Sequence, residues 1–186
     1  MYRAATWKAL RCGADLEAPE TLAEVVRNAD IQLKADGRVL CDGQDVTQVI
    51  RSPEVTGNIY RVADDAAARQ ALIRQQRKLA ATDNLVAEGR DQGSEVFPDA
   101  EVKFYLHASL KVRAGRRLDE LRNADKDASL AEVQRQIVLR DRRDRSRPVG
   151  SLRRTGDMIF IDSTDLSVEQ VVQVMLDHVE DRLAGG

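Results

Sequence analysis

Three short apolar runs constrain this chain more than any other feature. They are Leu85-Val86-Ala87, Val102-Lys103-Phe104-Tyr105-Leu106 and Met158-Ile159-Phe160-Ile161, set among stretches of helical periodicity. Short apolar runs of this kind read as strands buried on both faces. Strands separated by helices build a parallel sheet with helices on either side. The expected fold class is therefore α/β. Helices are expected over residues 110–123, 129–144 and 167–183. In the last of these, Val168, Val171, Val172, Met175, Val179 and Leu183 recur at helical spacing. Ser167 with Gln170 makes a capping-box pattern at its start.

The first half of the chain has a different texture. Residues 2–10 predict a short helix ending near Gly13, and a second helix follows Pro19. Ile31-Gln32-Leu33-Lys34 and Val39-Leu40-Cys41 flank an Asp36-Gly37 turn, which is a hairpin signal. Residues 46–79 read as helices broken near Ser52 and Asp64, the last carrying Ala68, Leu72 and Leu79 on one face. A hairpin-bearing insertion is thus expected over residues 30–61, set into a core made of residues 1–29 and 62–186.

Composition narrows the function classes. The 186 residues are 42% hydrophobic, enough to build the core of one domain with a small appendage. Lys and Arg number 29 against 31 acidic residues, and a net charge of −2 argues against nucleic acid as a main partner. No run approaches the roughly 20 apolar residues of a membrane span, and the N-terminus has no apolar signal core, so no membrane partner is expected. Cys12 and Cys41 stand far apart in no CxxC pairing. That fits a reducing cytoplasm, with neither a disulfide framework nor a zinc site. The two histidines, His107 and His178, read as ordinary satisfied side chains.

Four clusters carry chemistry. Glu88-Gly89-Arg90-Asp91 directly follows the first apolar run, and ligands of open α/β sheets sit at the carboxyl ends of strands. The bland alternative is a polar turn with a surface ion pair. The second cluster is Arg140-Asp141-Arg142-Arg143-Asp144-Arg145-Ser146-Arg147, closed by Pro148. A continuing helix puts Arg140, Asp144 and Arg147 on one face. Arginine forks match phosphate oxygens and can follow the charge on a transferring phosphoryl group. The bland reading is a solvated, self-paired helix face. RNA binding, extended through Arg153 and Arg154, is disfavoured by the interleaved aspartates and an aromatic content of 4%. Tyr2-Arg3 and the pair Arg51 and Arg69 are weaker signals taken alone.

Several motifs together resemble one family. They are Met1-Tyr2-Arg3-Ala4, Ile50-Arg51-Ser52-Pro53-Glu54-Val55, Arg74-Gln75-Gln76-Arg77 and Ala87-Glu88-Gly89-Arg90-Asp91-Gln92-Gly93. Val96-Phe97-Pro98-Asp99-Ala100, the 140–145 arginine run and Ile161-Asp162-Ser163-Thr164 follow in order. Over nearly its whole length the chain resembles the bacterial cytidylate kinases, and the two stretches around Arg90 and Asp144 are the most specific. The resemblance implies a P-loop kinase fold in which ATP, with Mg²⁺, phosphorylates CMP or dCMP, in a cytoplasmic monomer. It implies that Arg3 and Arg90 grip the CMP phosphate, beside Tyr2. Arg69 and Asp91 would read the cytosine, and a carboxylate can accept from its amino group. Arg51 would be a further arginine of the CMP side. Arg140 and Asp144 would lie near ribose and phosphates, and Arg147 would be a lid arginine approaching the transferring group. Residues 30–61 match the family's CMP-binding insertion. Tyr60 stands where members can carry a Ser that helps hold the base.

One departure is larger. The family begins with a strand, a G-x-x-x-x-G-K-[ST] loop and a helix, and no Gly of this chain is followed by Lys. That loop would cradle the ATP phosphates on backbone N–H groups, and its strand would be central in the sheet. The expectation from sequence is that the chain as written is inactive and poorly folded, with a gap between the strands at Leu85 and Val102. A start assigned too late, or a degenerate gene copy, would explain it. The alternative function is a non-catalytic nucleotide-binding or interaction module.

Overall fold

A computed structural model describes residues 1–81, 84–124 and 126–185. The chain divides into two compact units, residues 1–86 and 87–186.

The first unit is helical with a small sheet. Its helices are α1 (Tyr2–Arg11), α2 (Pro19–Arg27), α3 (Pro53–Asp64) and α4 (Ala66–Ala80). Pro19 and Pro53 stand in the first turns of α2 and α3, where a missing N–H costs nothing. The breaks between the later helices fall at capping side chains. Ser52 Oγ accepts from Val55 N at 3.3 Å, and Asp65 Oδ1 accepts from Ala68 N at 2.6 Å. The expected hairpin is present as β1 (Ile31–Leu33) and β2 (Val39–Cys41), antiparallel, with Ile31 opposite Cys41. Gly37 supplies the positive φ, 84°, that its turn needs.

A third strand, β3 (Gln44–Asp45), pairs antiparallel with β2. Two residues are too short to show a period. Its signal is the Asp42-Gly43 pair, whose φ angles of 51° and 78° fit a tight primed turn. One core joins these pieces. Ala4, Ala5 and Ala9 of α1 are fully buried with Leu22, Val26, Ile31, Cys41, Val46, Val62 and Leu72. Small side chains on α1 let its backbone lie close to its neighbours, and the hairpin segment shares this core with α1 and α4.

The second unit is α/β. Strands β4 (Phe104–His107) and β5 (Ile159–Asp162) pair in parallel, with Phe104 opposite Ile159 and His107 opposite Asp162. The crossover between them carries α5 (Leu110–Asn123) and α6 (Leu130–Ser146), and α7 (Val168–Ala184) follows β5. All three expected helices are therefore present. Serines start each one. Ser109 caps α5, and Ser129 and Ser167 form complete capping boxes with Glu132 and Gln170. Ser109 N also donates to Thr164 Oγ1 at 3.0 Å, tying the chain beyond β4 to the chain beyond β5. Lys103, just before β4, pairs with Asp157, just before β5. The cation holds that carboxyl down at about 2.

Two expectations about the strands need correction. Strands β4 and β5 form, but they are not buried on both faces: Leu106 is 52% exposed and Phe160 42% exposed. Leu85-Val86-Ala87 is not a strand: the segment has no regular structure, and Val86 is 97% exposed. A strand exists only by pairing, and among the described residues the parallel ladder contains β4 and β5 alone. An apolar triplet looks the same in sequence whether or not a partner strand accepts it. The apolar stripe of α7 is also less buried than its spacing suggests. No α7 residue is buried, and Val168 and Leu183 are each 75% exposed. The helix forms as expected because caps and propensity act locally, while burial depends on what lies against it. Among the described residues no helix is long and apolar enough to cross a membrane.

The two classes of apolar residue should respond differently to truncation. Leu72→Ala, at 0% exposure, is expected to cost about 2–5 kcal/mol in urea unfolding. Leu183→Ala, at 75% exposure, should cost less than about 0.5 kcal/mol. Equal losses would mean that α7 is covered in solution.

Candidate functional site

The second unit gathers guanidinium groups around two buried carboxylates. Asp141 and Asp144 sit one turn apart near the end of α6, and their side chains are 9% and 2% exposed. Arg90, in the loop after residue 87, reaches both: Nη1 lies 3.3 Å from Asp141 Oδ1, and Nε lies 3.4 Å from Asp144 Oδ2. Arg113 of α5 closes on the other oxygen of Asp141 at 2.7 Å. Arg147 Nη2 lies 2.7 Å from Asp144 Oδ1, and Arg140 Nε lies 3.8 Å from Asp144 Oδ2.

Local sequence explains these positions. Spacing of four residues stacks Arg140 over Asp144 on one face of α6. Pro148 then forces Arg147 into extended backbone, φ −61° and ψ 136°, which ends the helix. Leu152 N donates to Asp144 O at 2.8 Å, so the chain beyond the proline folds back on the last turn.

The charge balance is uneven. Among the described ion pairs, four guanidiniums face these two carboxylates, a formal excess of two positive charges. Arg140 registers the crowding. Partial burial first, and then the neighbouring charge of Arg90, pull its guanidinium below its ordinary pKa, although it stays charged at any physiological pH. The Arg140 side chain is 68% exposed and that of Arg90 is 34% exposed. A surface with buried counter-charges and accessible arginines has the chemistry to accept a multiply charged anion.

Asp91 lies beside this cluster in sequence and is 4% exposed. Its carbonyl accepts from Glu95 N at 2.9 Å and from Val96 N at 3.2 Å, opening a π-helical turn over Gln92–Val96. Such turns re-aim backbone and are frequent at functional sites. Gly93 packs tightly there: a Cβ would meet Met158 Cε at 3.0 Å and Lys103 Cδ at 3.2 Å, so these flexible side chains would have to shift by a few tenths of an ångström.

The remaining sequence-derived residues lie in the first unit. Arg69 is 2% exposed, donates from Nη1 to Ala63 O at 2.9 Å, and stacks its guanidinium 5.2 Å from the Tyr2 ring centroid. Arg3 donates from Nη1 to Ile50 O at 3.0 Å and to Thr56 Oγ1 at 2.8 Å. Its contact is thus the residue just before Arg51, which is exposed. Tyr60 is engaged by a neighbour, with the Arg61 guanidinium 5.0 Å from its ring centroid. The structure therefore brings Tyr2, Arg3 and Arg69 together at α1, leaves Arg51 exposed, and gathers Arg90, Arg140, Asp144 and Arg147 around the end of α6.

Asp141 and Arg113 belong to the second group and were not singled out from sequence. Asp141 was legible only as part of the charged run, and Arg113 sits among other α5 arginines with no distinguishing spacing. Among the described residues no three His, Cys, Asp or Glu side chains are grouped closely enough to hold a metal ion.

Comparison with known proteins decides the family. The cytidylate kinase family model matches residues 1–181. The chain belongs to the cytidylate kinase family. A cytidylate kinase of Desulfitobacterium hafniense is 42% identical, over 100% of this chain and 81% of that protein. One from Bacillus cereus is 40% identical, over 96% of this chain and 81% of that protein. A bifunctional pantoate ligase/cytidylate kinase of Trichodesmium erythraeum is 41% identical, over 95% of this chain and 34% of that protein. The α/β second unit, with its parallel strand pair flanked by helices, is consistent with the P-loop kinase fold of this family.

Asp144 should be a stability residue as well as a site residue. Asp144→Asn removes the one charge shared by three arginines, of which Arg147 is only 10% exposed. The expected cost is about 3 kcal/mol, the low end for breaking a buried pair, because Arg90 and Arg140 can turn to water. Urea unfolding with no shift in midpoint would contradict this.

Proposed function

We propose that this chain is a (d)CMP kinase whose residues hold the acceptor nucleotide and present its phosphate to ATP. The observation that carries the reading is the arginine cluster on Asp141 and Asp144, with its two excess positive charges. A nucleoside monophosphate brings close to two negative charges, and the cluster can neutralise them without new ordering.

The roles follow from the two groups of residues. In the first unit, Arg3 contacts the CMP phosphate beside Tyr2, Arg51 adds a further positive charge, and Arg69 orients the base. Residues 30–61 act as the CMP-binding insertion. In the second unit, Asp91 accepts from the cytosine amino group, which separates cytosine from uracil. Arg90 holds the acceptor phosphate, Arg140 and Asp144 lie near ribose and phosphate, and Arg147 follows the charge on the transferring phosphoryl group. The chemistry asked of these side chains is positioning and charge neutralisation rather than covalent catalysis.

ATP, with Mg²⁺, is the phosphoryl donor of this reading. The residues present supply the donor with arginine only. No Gly precedes a Lys, so the glycine-rich triphosphate cradle is not among these 186 residues. The reading is of a cytoplasmic, monomeric enzyme of nucleotide metabolism with no nucleic-acid partner.

Calorimetric titration tests the acceptor side directly. CMP and dCMP should bind, and UMP should bind at least about tenfold more weakly, as expected for one lost charge-assisted hydrogen bond at Asp91. No binding of CMP at millimolar concentration would refute the reading. In a coupled assay of ADP release by a form that carries a family P-loop segment ahead of residue 1, Arg147→Ala should lower turnover by about a thousandfold, with KM for CMP within about threefold. Equal losses in both would make Arg147 a binding residue only.

A further inference from the structure

We infer that Asp141, held from behind by Arg113, is a positioning residue that aims Arg90 at the acceptor phosphate. The inference rests on the reading of Arg90 given above and adds two residues to it.

The geometry is a relay across two helices and a loop. Arg113 on α5 is fixed at both ends of its guanidinium. Nε donates to Ala108 O at 3.1 Å, in the turn after β4, and Nη1 donates to Asp141 Oδ2 at 2.7 Å. Asp141 on α6 then has one oxygen committed, and only Oδ1 faces Arg90, whose Nη1 lies 3.3 Å away. The two contacts differ in kind. The Arg113 bond is short and charge-assisted, while the Arg90 contact is long for a hydrogen bond between ions. Asp141 is therefore bound to Arg113 and only guides Arg90.

That asymmetry has a function. A buried carboxylate with both oxygens free would take Arg90 as a bidentate partner and cancel its charge. With Oδ2 occupied by Arg113, Asp141 meets Arg90 through the single 3.3 Å contact from Nη1 and steers it without forming a bidentate pair. Asp144 does the same from the other side, at 3.4 Å from Nε. Arg90 is left oriented between two carboxylates and 34% exposed, ready to exchange weak contacts for strong ones to phosphate. A merely structural role for Asp141, pinning α5 to α6, would explain the Arg113 bond. It would not explain why the second oxygen is directed at the arginine that reaches both carboxylates.

The test separates phosphate binding from folding by comparing CMP with cytidine, which lacks the phosphate. Both are titrated into the full chain and into Asp141→Asn, Arg113→Gln and Arg90→Lys. Asp141→Asn is expected to weaken CMP binding by about tenfold, the scale of one charge-assisted bond. Cytidine binding should stay within about twofold. Arg113→Gln, which leaves Asp141 in place, should change the CMP-to-cytidine ratio in the same direction, and it keeps the test alive if Asp141→Asn does not fold. In the Arg90→Lys background the Asp141→Asn effect should disappear, because both act through one side chain. Equal weakening of CMP and cytidine, or additive effects in the double variant, would overturn the inference. If Arg90→Lys itself leaves the ratio unchanged, the phosphate role of Arg90 fails, and this inference with it. If Arg90→Lys changes the ratio while Asp141→Asn and Arg113→Gln do not, only the positioning role fails.

Discussion

Two carboxylates at the end of α6 organise the second unit's chemistry. Asp141 and Asp144 are removed from water, and a buried carboxylate is tolerable only with cations and hydrogen bonds around it. That requirement draws in Arg113 from α5, Arg90 from the loop after residue 87, Arg140 from one turn earlier, and Arg147 from beyond the helix end. Each lies on a different segment or turn. The ion cluster therefore fixes the mutual placement of segments that the small apolar core of Ala114, Leu118 and Val133 would hold less specifically. Pro148 contributes by ending α6 at Ser146, which frees Arg147 to turn back on Asp144 instead of continuing along the helix.

Buried ion clusters seldom add much net stability. Their worth here lies in pre-organisation. Ordering a long arginine side chain on binding costs about 0.5–1.5 kcal/mol each. Arginines already held by aspartates have met much of that cost in the folded state. The contacts are also graded. Arg147 and Arg113 lie at 2.7 Å, whereas Arg90 and Arg140 lie at 3.3–3.8 Å from their carboxylates. Arg140 is the most exposed of the set, while Arg90 and Arg113 are exposed alike at 34% and 33%, so it is the looseness of the Arg90 and Arg140 contacts that would let a phosphate compete with the aspartates for them.

Local rules were legible in the sequence, and pairing rules were not. The helix starts at Ser52, Asp65, Ser109, Ser129 and Ser167 follow from capping chemistry that acts within four residues. The first hairpin follows from Asp36-Gly37, and the third strand from Asp42-Gly43, a signal of the same type. By contrast, Leu85-Val86-Ala87 carried a strand pattern with nothing in the local sequence to say whether a partner strand adjoins it. The α7 stripe failed for the same reason, because periodicity shows which face is apolar and not what covers it. Site residues divided along the same line. Arg90 and the 140–147 run stood out by motif, while Arg113 becomes visible only once α5 lies against α6.

The candidate residues of each unit are held by contacts within that unit. Tyr2, Arg3 and Arg69 are held by contacts inside the first unit, and Arg90, Arg140, Asp144 and Arg147 by contacts inside the second. Arg69 keeps its guanidinium against the Tyr2 ring and a backbone carbonyl, and Arg3 keeps two acceptors of its own. On the proposed reading, a ligand that lacks the phosphate forfeits the contact that Arg90 offers within the second unit. Discrimination in such a design comes from polar groups left unsatisfied by the wrong ligand, which costs more than a poor fit to an apolar pocket.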